Sequence, residues 1–231
     1  ANATRAAEKM DSTMSGIGSK LKSAALSLGA GFAALDVIKT TARFQSLDNA
    51  IKSTSGTSVN GEKNLSFLND QIDRLGLDIQ AAYSGYKTFN GALMGSTLQG
   101  TKANNMFRQI SEATTVMGLS GEQTEGAFLA MGQMISKGTV QAEELKGQLG
   151  ERIPGAFQIA ARAMGMTTQE LGKFMQDGKL VAEDFLPKFG AEMERTFGKQ
   201  AGKASESLQS NLNRLQTAFE RMKVELGTSL L

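Results

Sequence analysis

The sequence predicts an all-α protein: a multi-helix bundle with a duplicated helix–glycine turn–helix unit and long helices at both ends. Two general observations support this prediction. Apolar residues recur three and four positions apart along most of the chain, which is the spacing of one face of an α-helix. Only two of the 231 residues are proline, and each proline inside a helix would cost about 3 kcal/mol.

An internal repeat is the third observation. Residues 131–150, MGQMISKGTVQAEELKGQLG, align without a gap with residues 171–190, LGKFMQDGKLVAEDFLPKFG. The identical pairs are Gly132/Gly172, Gly138/Gly178, Ala142/Ala182, Glu143/Glu183 and Gly150/Gly190. Because each copy must bury the same face, the repeat predicts two superimposable helix–turn–helix units. We expect Gly138 and Gly178 to be equivalent left-handed turn residues.

Composition excludes several classes of function. The chain has no cysteine and no histidine, so it lacks disulfides, thiolate sites and the most common metal ligand. Its net charge of +2 gives no reason to expect a nucleic acid partner. We therefore predict no metal, no cofactor and no specific binding of nucleic acid.

The first half of the chain divides into helices separated by glycine-rich breaks. Residues 1–55 are predicted to form one long N-terminal helix, and residues 53–61 (STSGTSVNG) a loop. A second region, residues 60–198, is predicted to be one helical domain that contains the repeat. Six glycines are expected just past helix ends, where glycine adopts the left-handed conformation at least cost: Gly76, Gly118, Gly138, Gly165, Gly178 and Gly198.

Helix starts in the second half are marked by capping residues. Ser120 with Gln123, and Thr167 with Glu170, each fit a capping box, in which the two side chains bond to each other's backbone N–H groups. Pro154 is predicted to lie in the first turn of a helix, where its missing N–H is tolerated.

Acidic pairs open the second helix of each repeat copy. Glu143 and Glu144, and likewise Glu183 and Asp184, could be the paired carboxylates of a glycosidase. The positive end of the helix dipole explains them without catalysis, so we predict a structural role, no enzymatic activity and slight stability effects for Glu143→Gln or Glu183→Gln. In a DNA-binding helix-turn-helix, the start of the second helix contacts the DNA. Here the acidic residues at that position would repel the phosphate groups.

Residues 199–231 are predicted to form an amphipathic or coiled-coil helix. Its apolar seam is spaced four and three residues apart, the heptad pattern: Leu208, Leu212, Leu215, Phe219, Met222 and Leu226. This pattern is compatible with two arrangements: the seam could pair with copies of itself, or it could pack within the chain against Leu21, Leu28 and Leu35.

The least polar stretch, Ala24 to Leu35, lies within 13 uncharged residues between Lys22 and Asp36. A membrane span needs about 20 residues. We favour a tightly packed helix face here, with a membrane-active segment as the alternative.

Residues 138–189 resemble the tape measure domain of bacteriophage tail tape measure proteins. The resemblance rests on AEELKGQLGERIPGA at 142–156, the ARAMG pattern at 161–165, the TQELG run at 168–172 and GKLVAEDFLP ending at Pro187. Residues 44–118 resemble the same domain more weakly.

This resemblance implies a helical component of a virion or prophage tail that lies in the lumen of the tail tube. Members of the family template tail length and leave the tail when DNA is delivered. The implied partners are further copies of the chain, tail tube or tail tip proteins, and a tail assembly chaperone in the host cytoplasm. No catalytic residues belong to this domain. The alternative is a delivery module whose segments 24–35 and 89–98 insert into the host membrane.

Overall fold

In the computed structural model, residues 30–229 are described, with side chains from residue 34 onward. These residues form ten α-helices and one π-helix, and strand pairing among them is limited to one isolated bridge. The prediction of an all-α fold is confirmed. The helices are α1 Ala30–Thr54, α2 Ser58–Leu75, α3 Ile79–Ala92, α4 Thr101–Val116, α5 Gly121–Lys137, the π-helix Glu143–Leu149, α6 Gly150–Arg152, α7 Ala156–Ala163, α8 Thr168–Gln176, α9 Ala182–Ala204 and α10 Leu208–Thr228.

The chain divides into two compact units. Residues 46–217 form the central unit, and the described residues 30–45 with 218–229 form the terminal unit. In the described part of the terminal unit, Lys223 Nζ lies 2.9 Å from Asp36 Oδ2, and Thr41 and Gly227 are in close contact. The predicted helix over residues 1–55 can be compared with the structure only from Ala30 onward.

An aromatic cluster forms the middle of the central unit. The ring of Phe107, on α4, stacks on Phe128 of α5 with centroids 4.3 Å apart. Tyr86 of α3 meets the edge of the same ring at 5.0 Å. All three side chains are fully buried. The cluster shows that α3, α4 and α5 share one core.

The most extensive helix contacts join α4 to α9 and α3 to α5. The contact of α4 with α9 includes an ionic network around the buried carboxylate of Glu112. Glu112 accepts hydrogen bonds from Arg74 at 2.9 Å and from Arg108 at 3.1 Å, and Arg108 also donates to Glu194 at 2.8 Å. Hydrogen bonds from Arg108 and Gln109 lower the pKa of Glu194. The two acids and two arginines therefore balance in charge.

The capping residues and turn glycines in the sequence predicted most of the helix ends correctly. Both capping boxes are present, with Gln123 N donating to Ser120 Oγ at 3.2 Å and Glu170 N donating to Thr167 Oγ1 at 3.2 Å. Hydrogen bonds from Thr167 lower the pKa of Glu170. Five of the six glycines predicted past helix ends have positive φ: Gly76, Gly118, Gly138, Gly165 and Gly178.

Three local predictions are wrong. The loop predicted at residues 53–61 is confined to 55–57, because the Thr57 hydroxyl accepts from Asn60 N and starts α2 at Ser58. Gly198 lies inside α9 rather than past its end. Pro154 lies in the turn before α7, since Gly155 takes a φ of 86° and the helix begins only at Ala156.

Glu192 links α7 to α9. Its carboxylate accepts from Arg162 Nε at 2.7 Å and from Arg195 Nε at 2.7 Å. The hydrogen bond from Arg195, together with that from Arg162, lowers the pKa of Glu192 from 4.5 to about 2. The ionised form is thus stabilised by folding.

This pKa shift predicts an acid-dependent loss of stability. A lowered pKa contributes stability above pH 4.5, and the contribution disappears as the pH falls from 4.5 towards 2. Glu192→Gln should lower the free energy of unfolding at pH 7, and the difference from the unchanged chain should shrink across that pH range. Chemical denaturation at a series of pH values measures it, with the exposed Glu151→Gln as the control. A difference that grows on acidification would contradict the prediction.

Candidate functional site

The duplicated turns lie next to each other. Gly138 and Gly178 have φ angles of 72° and 67°, so both occupy the left-handed region as predicted. Val140 N donates to Leu180 O at 2.8 Å, and Ala182 N donates to Gly138 O at 2.9 Å. These bonds flank an antiparallel bridge between Thr139 and Val181. The two copies are therefore paired through the same residues that the repeat aligns.

The pairing places equivalent residues opposite each other. Val140 and Leu180 are aligned by the repeat, and both are 1% exposed. The repeat thus builds a structural joint within the central unit, with one turn completing the hydrogen bonds of the other.

The positive φ of Gly138 predicts the cost of adding a side chain there. A Cβ atom at this position would meet nothing within 4 Å, so Gly138→Ala changes only backbone strain. We expect a loss of about 1 kcal/mol in the free energy of unfolding. Gly172→Ala, inside α8 and without a positive φ, is the matched control and should be neutral or stabilising. Equal losses in the two variants would contradict the strain argument.

The helices that follow the two turns differ, so the predicted superposition holds for the turns and fails beyond them. The second copy continues into the α-helix α9, whereas the first forms a π-helix over Glu143–Leu149. A π-helix bonds residues five apart and brings them to one face. Glu144 and Leu149 are both fully buried in this way. In an α-helix these two positions would point in different directions.

Glu144 differs from the solvated, dipole-stabilising acid that the sequence predicted. Its side chain is fully buried and pairs with Lys137 Nζ at the end of α5. The hydrogen bond to Glu144 raises the pKa of Lys137. Burial of a carboxylate requires such a partner, because an isolated charge in the interior is strongly destabilising. Glu144 therefore ties the π-helix to α5.

The other three acids of the repeat are at the surface. Glu143 has a side chain that is 71% exposed. Glu183 Oε1 accepts from Thr97 N at 3.3 Å, and Asp184 pairs with Lys188 one turn later on α9. The four acids thus have separate local roles: Glu143, Glu144 and Asp184 take part in ion pairs, and Glu183 accepts a backbone hydrogen bond.

The end of the chain supplies a different kind of surface. In the central unit, the inward face of α10 is polar, with Ser210 and Thr217 buried. Asn213 Nδ2 donates to Gly76 O at 2.9 Å. The Arg214 guanidinium donates to the carbonyls of Asp73 and Arg74 at 3.2 Å and to that of Ser205 at 2.7 Å. These carbonyls lie at the ends of α2 and α9, where a positive charge is stabilising.

The predicted seam faces away from these polar contacts. Four of its residues are exposed: Leu208 at 77%, Leu212 at 51%, Leu215 at 59% and Phe219 at 52%. Met222 and Leu226 are half-buried. Leu35, one predicted intramolecular partner, is 54% exposed, and Leu21 and Leu28 lie outside the described residues. A row of exposed large apolar side chains is typical of an interaction surface.

Arg214 and its carbonyl partners were missed by the sequence reasoning. A signal was present, because Ser210, Asn213 and Thr217 repeat at helical spacing opposite the leucines. Small polar residues at that spacing indicate a face that approaches other backbone closely. Gly76 fits this interpretation, since a Cβ added there would lie 2.6 Å from Ser210 Cβ.

A small cleft of the central unit lies beside this contact. It is lined by residues of the α2 and α4 ends and the α5 and α10 starts, including Gly76, Asp78, Gly121 and Ser210. Asp78, the one carboxylate of the lining, caps α3 by accepting from Ala81 N at 2.8 Å. Across residues 34–229, no cluster of three or more histidine, cysteine or acidic side chains could hold a metal. Nor does any helix of the described part have the length and apolarity to span a bilayer.

Comparisons with known proteins agree with the resemblance found in the sequence. A family model described as "Tape measure protein" matches residues 36–228. A curated relative from Salmonella phage Felix O1 (isolate Felix O1-VT1), described as a probable tape measure protein, is 42% identical over 132 residues. The match covers 57% of this chain and 17% of the relative, so the chain corresponds to a small part of that protein's length. No solved structure gives a significant match.

Proposed function

The chain belongs to the tape measure protein family, and from that premise we propose that it is a folded assembly module in the lumen of a phage tail. In this proposal the parent protein templates tail length as tube protein polymerises around it, and it leaves the tail when DNA is delivered. The proposed partners are other copies of the chain, tail tube or tail tip proteins, and an assembly chaperone in the host cytoplasm.

The exposed seam of α10 is the observation that supports an assembly role most directly. Apolar residues at heptad spacing pair with an identical seam when two or more helices run in parallel. We propose that a second copy of this chain covers Leu208, Leu212 and Leu215 of the central unit, which are 51–77% exposed in the single chain. Several parallel copies suit a tube with rotational symmetry. The polar face of α10 is occupied within the chain, which leaves the apolar face for the partner.

The ruler itself is proposed to lie outside these residues. A straight helix gains about 1.5 Å per residue, so a ruler should be long and uninterrupted. The helices of the central unit are instead ended repeatedly by glycines with positive φ, as at Gly76, Gly118 and Gly138. We propose that this region anchors or organises the copies while a longer helical region sets distance.

Tail morphology in a phage that encodes the parent protein tests this function. Leu212→Lys/Leu215→Lys places two like charges in the seam, and we expect few tails or tails of irregular length in electron micrographs. Gln216→Lys, on an exposed position of the same helix outside the seam, is the control and should give normal tails. Normal tails from the seam variant would overturn the assembly role of α10.

Membrane insertion is the alternative function. It would require Phe89, Leu93 and Leu98 to leave the core, where each is at most 2% exposed. The segment 24–35 lies largely outside the described residues. Dye release from liposomes by the purified chain would support insertion, and intact liposomes would favour the assembly role.

A further inference from the structure

The connection between α9 and α10 contains no residue that must break a helix. It consists of Ser205, Glu206 and Ser207, and neither proline nor glycine occurs from Lys203 to Leu226. Ser205 has φ −67° and ψ −11°, within the right-handed helical region. Glu206 N and Ser207 N donate to carbonyls three residues earlier, at 3.2 and 3.1 Å. The bend is therefore a tightened helical turn rather than a loop.

The apolar pattern continues across this bend without a change of phase. On a helix of 3.6 residues per turn, five of the eight buried residues of α9 would share one stripe about 100° wide with the seam of α10, whereas Ala182, Phe185 and Phe189, in the first part of α9, lie beside that stripe. The stripe comprises Leu186, Gly190, Met193, Phe197, Ala201, Leu208, Leu212, Leu215, Phe219, Met222 and Leu226. In the bent structure its first five residues are buried, whereas Leu208, Leu212, Leu215 and Phe219 are exposed. The sequence is thus patterned for one helix, although the structure contains two.

Polar contacts hold the bend. Arg214 reaches Ser205 O at 2.7 Å across the connection, and it also donates to the end of α2. Asn213 donates to Gly76 O. Ser207 Oγ accepts from Ser210 N at 3.2 Å, which caps the start of α10. We call the contacts of Arg214 and Asn213 the latch.

We propose that the α9–α10 connection is a two-state elbow. Release of the latch lets residues 205–207 adopt the ordinary α-helical bonding pattern, so that α9 runs into α10 as one helix with one apolar stripe. Ser205 is already in the helical region, so the backbone change falls on the residues after it, chiefly on Ser207, which caps α10. The N–H groups at the start of α10, which have no earlier turn to bond to in the bent state, gain carbonyl partners. This inference does not depend on the proposed function.

Spin-label distances measure the two states directly. The chain has no native cysteine, so Ala191→Cys/Gln216→Cys labels two exposed positions, one on α9 and one on α10. In one straight helix the 25-residue separation would place the labelled backbone positions about 38 Å apart, and a bend makes the distance shorter. Pulsed electron paramagnetic resonance gives the distance distribution. The labelled chain also carries Leu212→Lys/Leu215→Lys and is diluted with unlabelled chain. Distances between labels on different copies are thereby removed, and the remaining distances report the elbow within one chain.

Two opposing variants set the expected results. Arg214→Ala removes most of the latch, and we expect the fraction at about 38 Å to rise several-fold. Leu208→Pro should abolish that fraction: proline suits the first position of a separate α10, but inside a continuous helix its ring would clash with the preceding turn. Circular dichroism on each variant reports whether its helices are retained.

Three results would overturn the elbow. The first is an unchanged short distance in Arg214→Ala with helicity retained. The second is a broad distribution without a 38 Å component, which would indicate a flexible joint. The third is a long-distance fraction that survives Leu208→Pro. If Arg214→Ala loses helicity, Ser207→Ala replaces it as the test, because it removes the α10 cap and leaves Arg214 in place. An unchanged long-distance fraction in Ser207→Ala would then contradict the proposal.

Discussion

Phe107→Ala should lower the free energy of unfolding of the chain by about 3–5 kcal/mol, the usual cost of removing a buried phenylalanine ring. The ring is fully buried and contacts Tyr86 and Phe128, whose centroids lie 5.0 and 4.3 Å away. Its removal leaves a cavity where α3, α4 and α5 meet. Denaturant unfolding followed by circular dichroism measures the loss.

Leu129→Ala is the matched control for this prediction. Leu129 lies next to Phe128 on α5 but is 46% exposed, so its truncation leaves no enclosed cavity. We expect that variant to lose under about 1 kcal/mol. Similar losses in Phe107→Ala and Leu129→Ala would show that the aromatic cluster is not the centre of the core.

Lys137→Met should lower the free energy of unfolding, although the lysine is at the surface. The reason lies in its partner, because the carboxylate of Glu144 is fully buried and would lose the ammonium group that pairs with it. Uncompensated buried charges are among the most destabilising changes known. The same unfolding experiment measures the effect.

Two further variants isolate the charge from the packing. Lys137→Met/Glu144→Gln removes the charge from the buried side chain, and it should recover most of the lost stability. Lys173→Met changes an exposed lysine in the last turn of α8, and it should be nearly neutral. Failure of the double variant to recover would mean that Lys137 acts through packing instead of through Glu144.

The sequence allowed prediction of those features that depend on neighbours within a few residues. The capping boxes at Ser120 and Thr167 and the left-handed Gly138 and Gly178 are specified by side chains one turn away or less. The aromatic faces of α3, α4 and α5 follow from helical spacing alone. These parts of the fold needed no knowledge of tertiary contacts.

The features that sequence reasoning missed depend on distant partners. Glu144 is buried because Lys137 reaches it from α5, and the π-helix brings Glu144 and Leu149 to one face. Pro154 is the exception, because the residue next to it, Gly155, supplies a left-handed turn before the helix begins. The orientation of α10 depends on the Arg214 contacts with the ends of α2 and α9. Local spacing does not identify the residues that Glu144 and Arg214 contact.

The repeat contains one feature that the sequence predicted and one that it did not. Its aligned glycines predicted equivalent turns, and the structure contains them. The aligned acids Glu144 and Asp184 nevertheless differ, since one is buried against Lys137 and the other pairs with Lys188 at the surface. Sequence similarity therefore fixed the backbone of the turn but did not fix the surroundings of each side chain.

Sedimentation equilibrium tests most directly whether the exposed seam of α10 joins copies of this chain. We predict that the full chain forms a defined oligomer, a whole-number multiple of its 24.5 kDa mass. Leu212→Lys/Leu215→Lys, and a chain ending at Lys203, should sediment as monomers, whereas Gln216→Lys should behave as the unchanged chain. A full chain that stays monomeric at every concentration, with the seam variants changing only its stability, would contradict the claim.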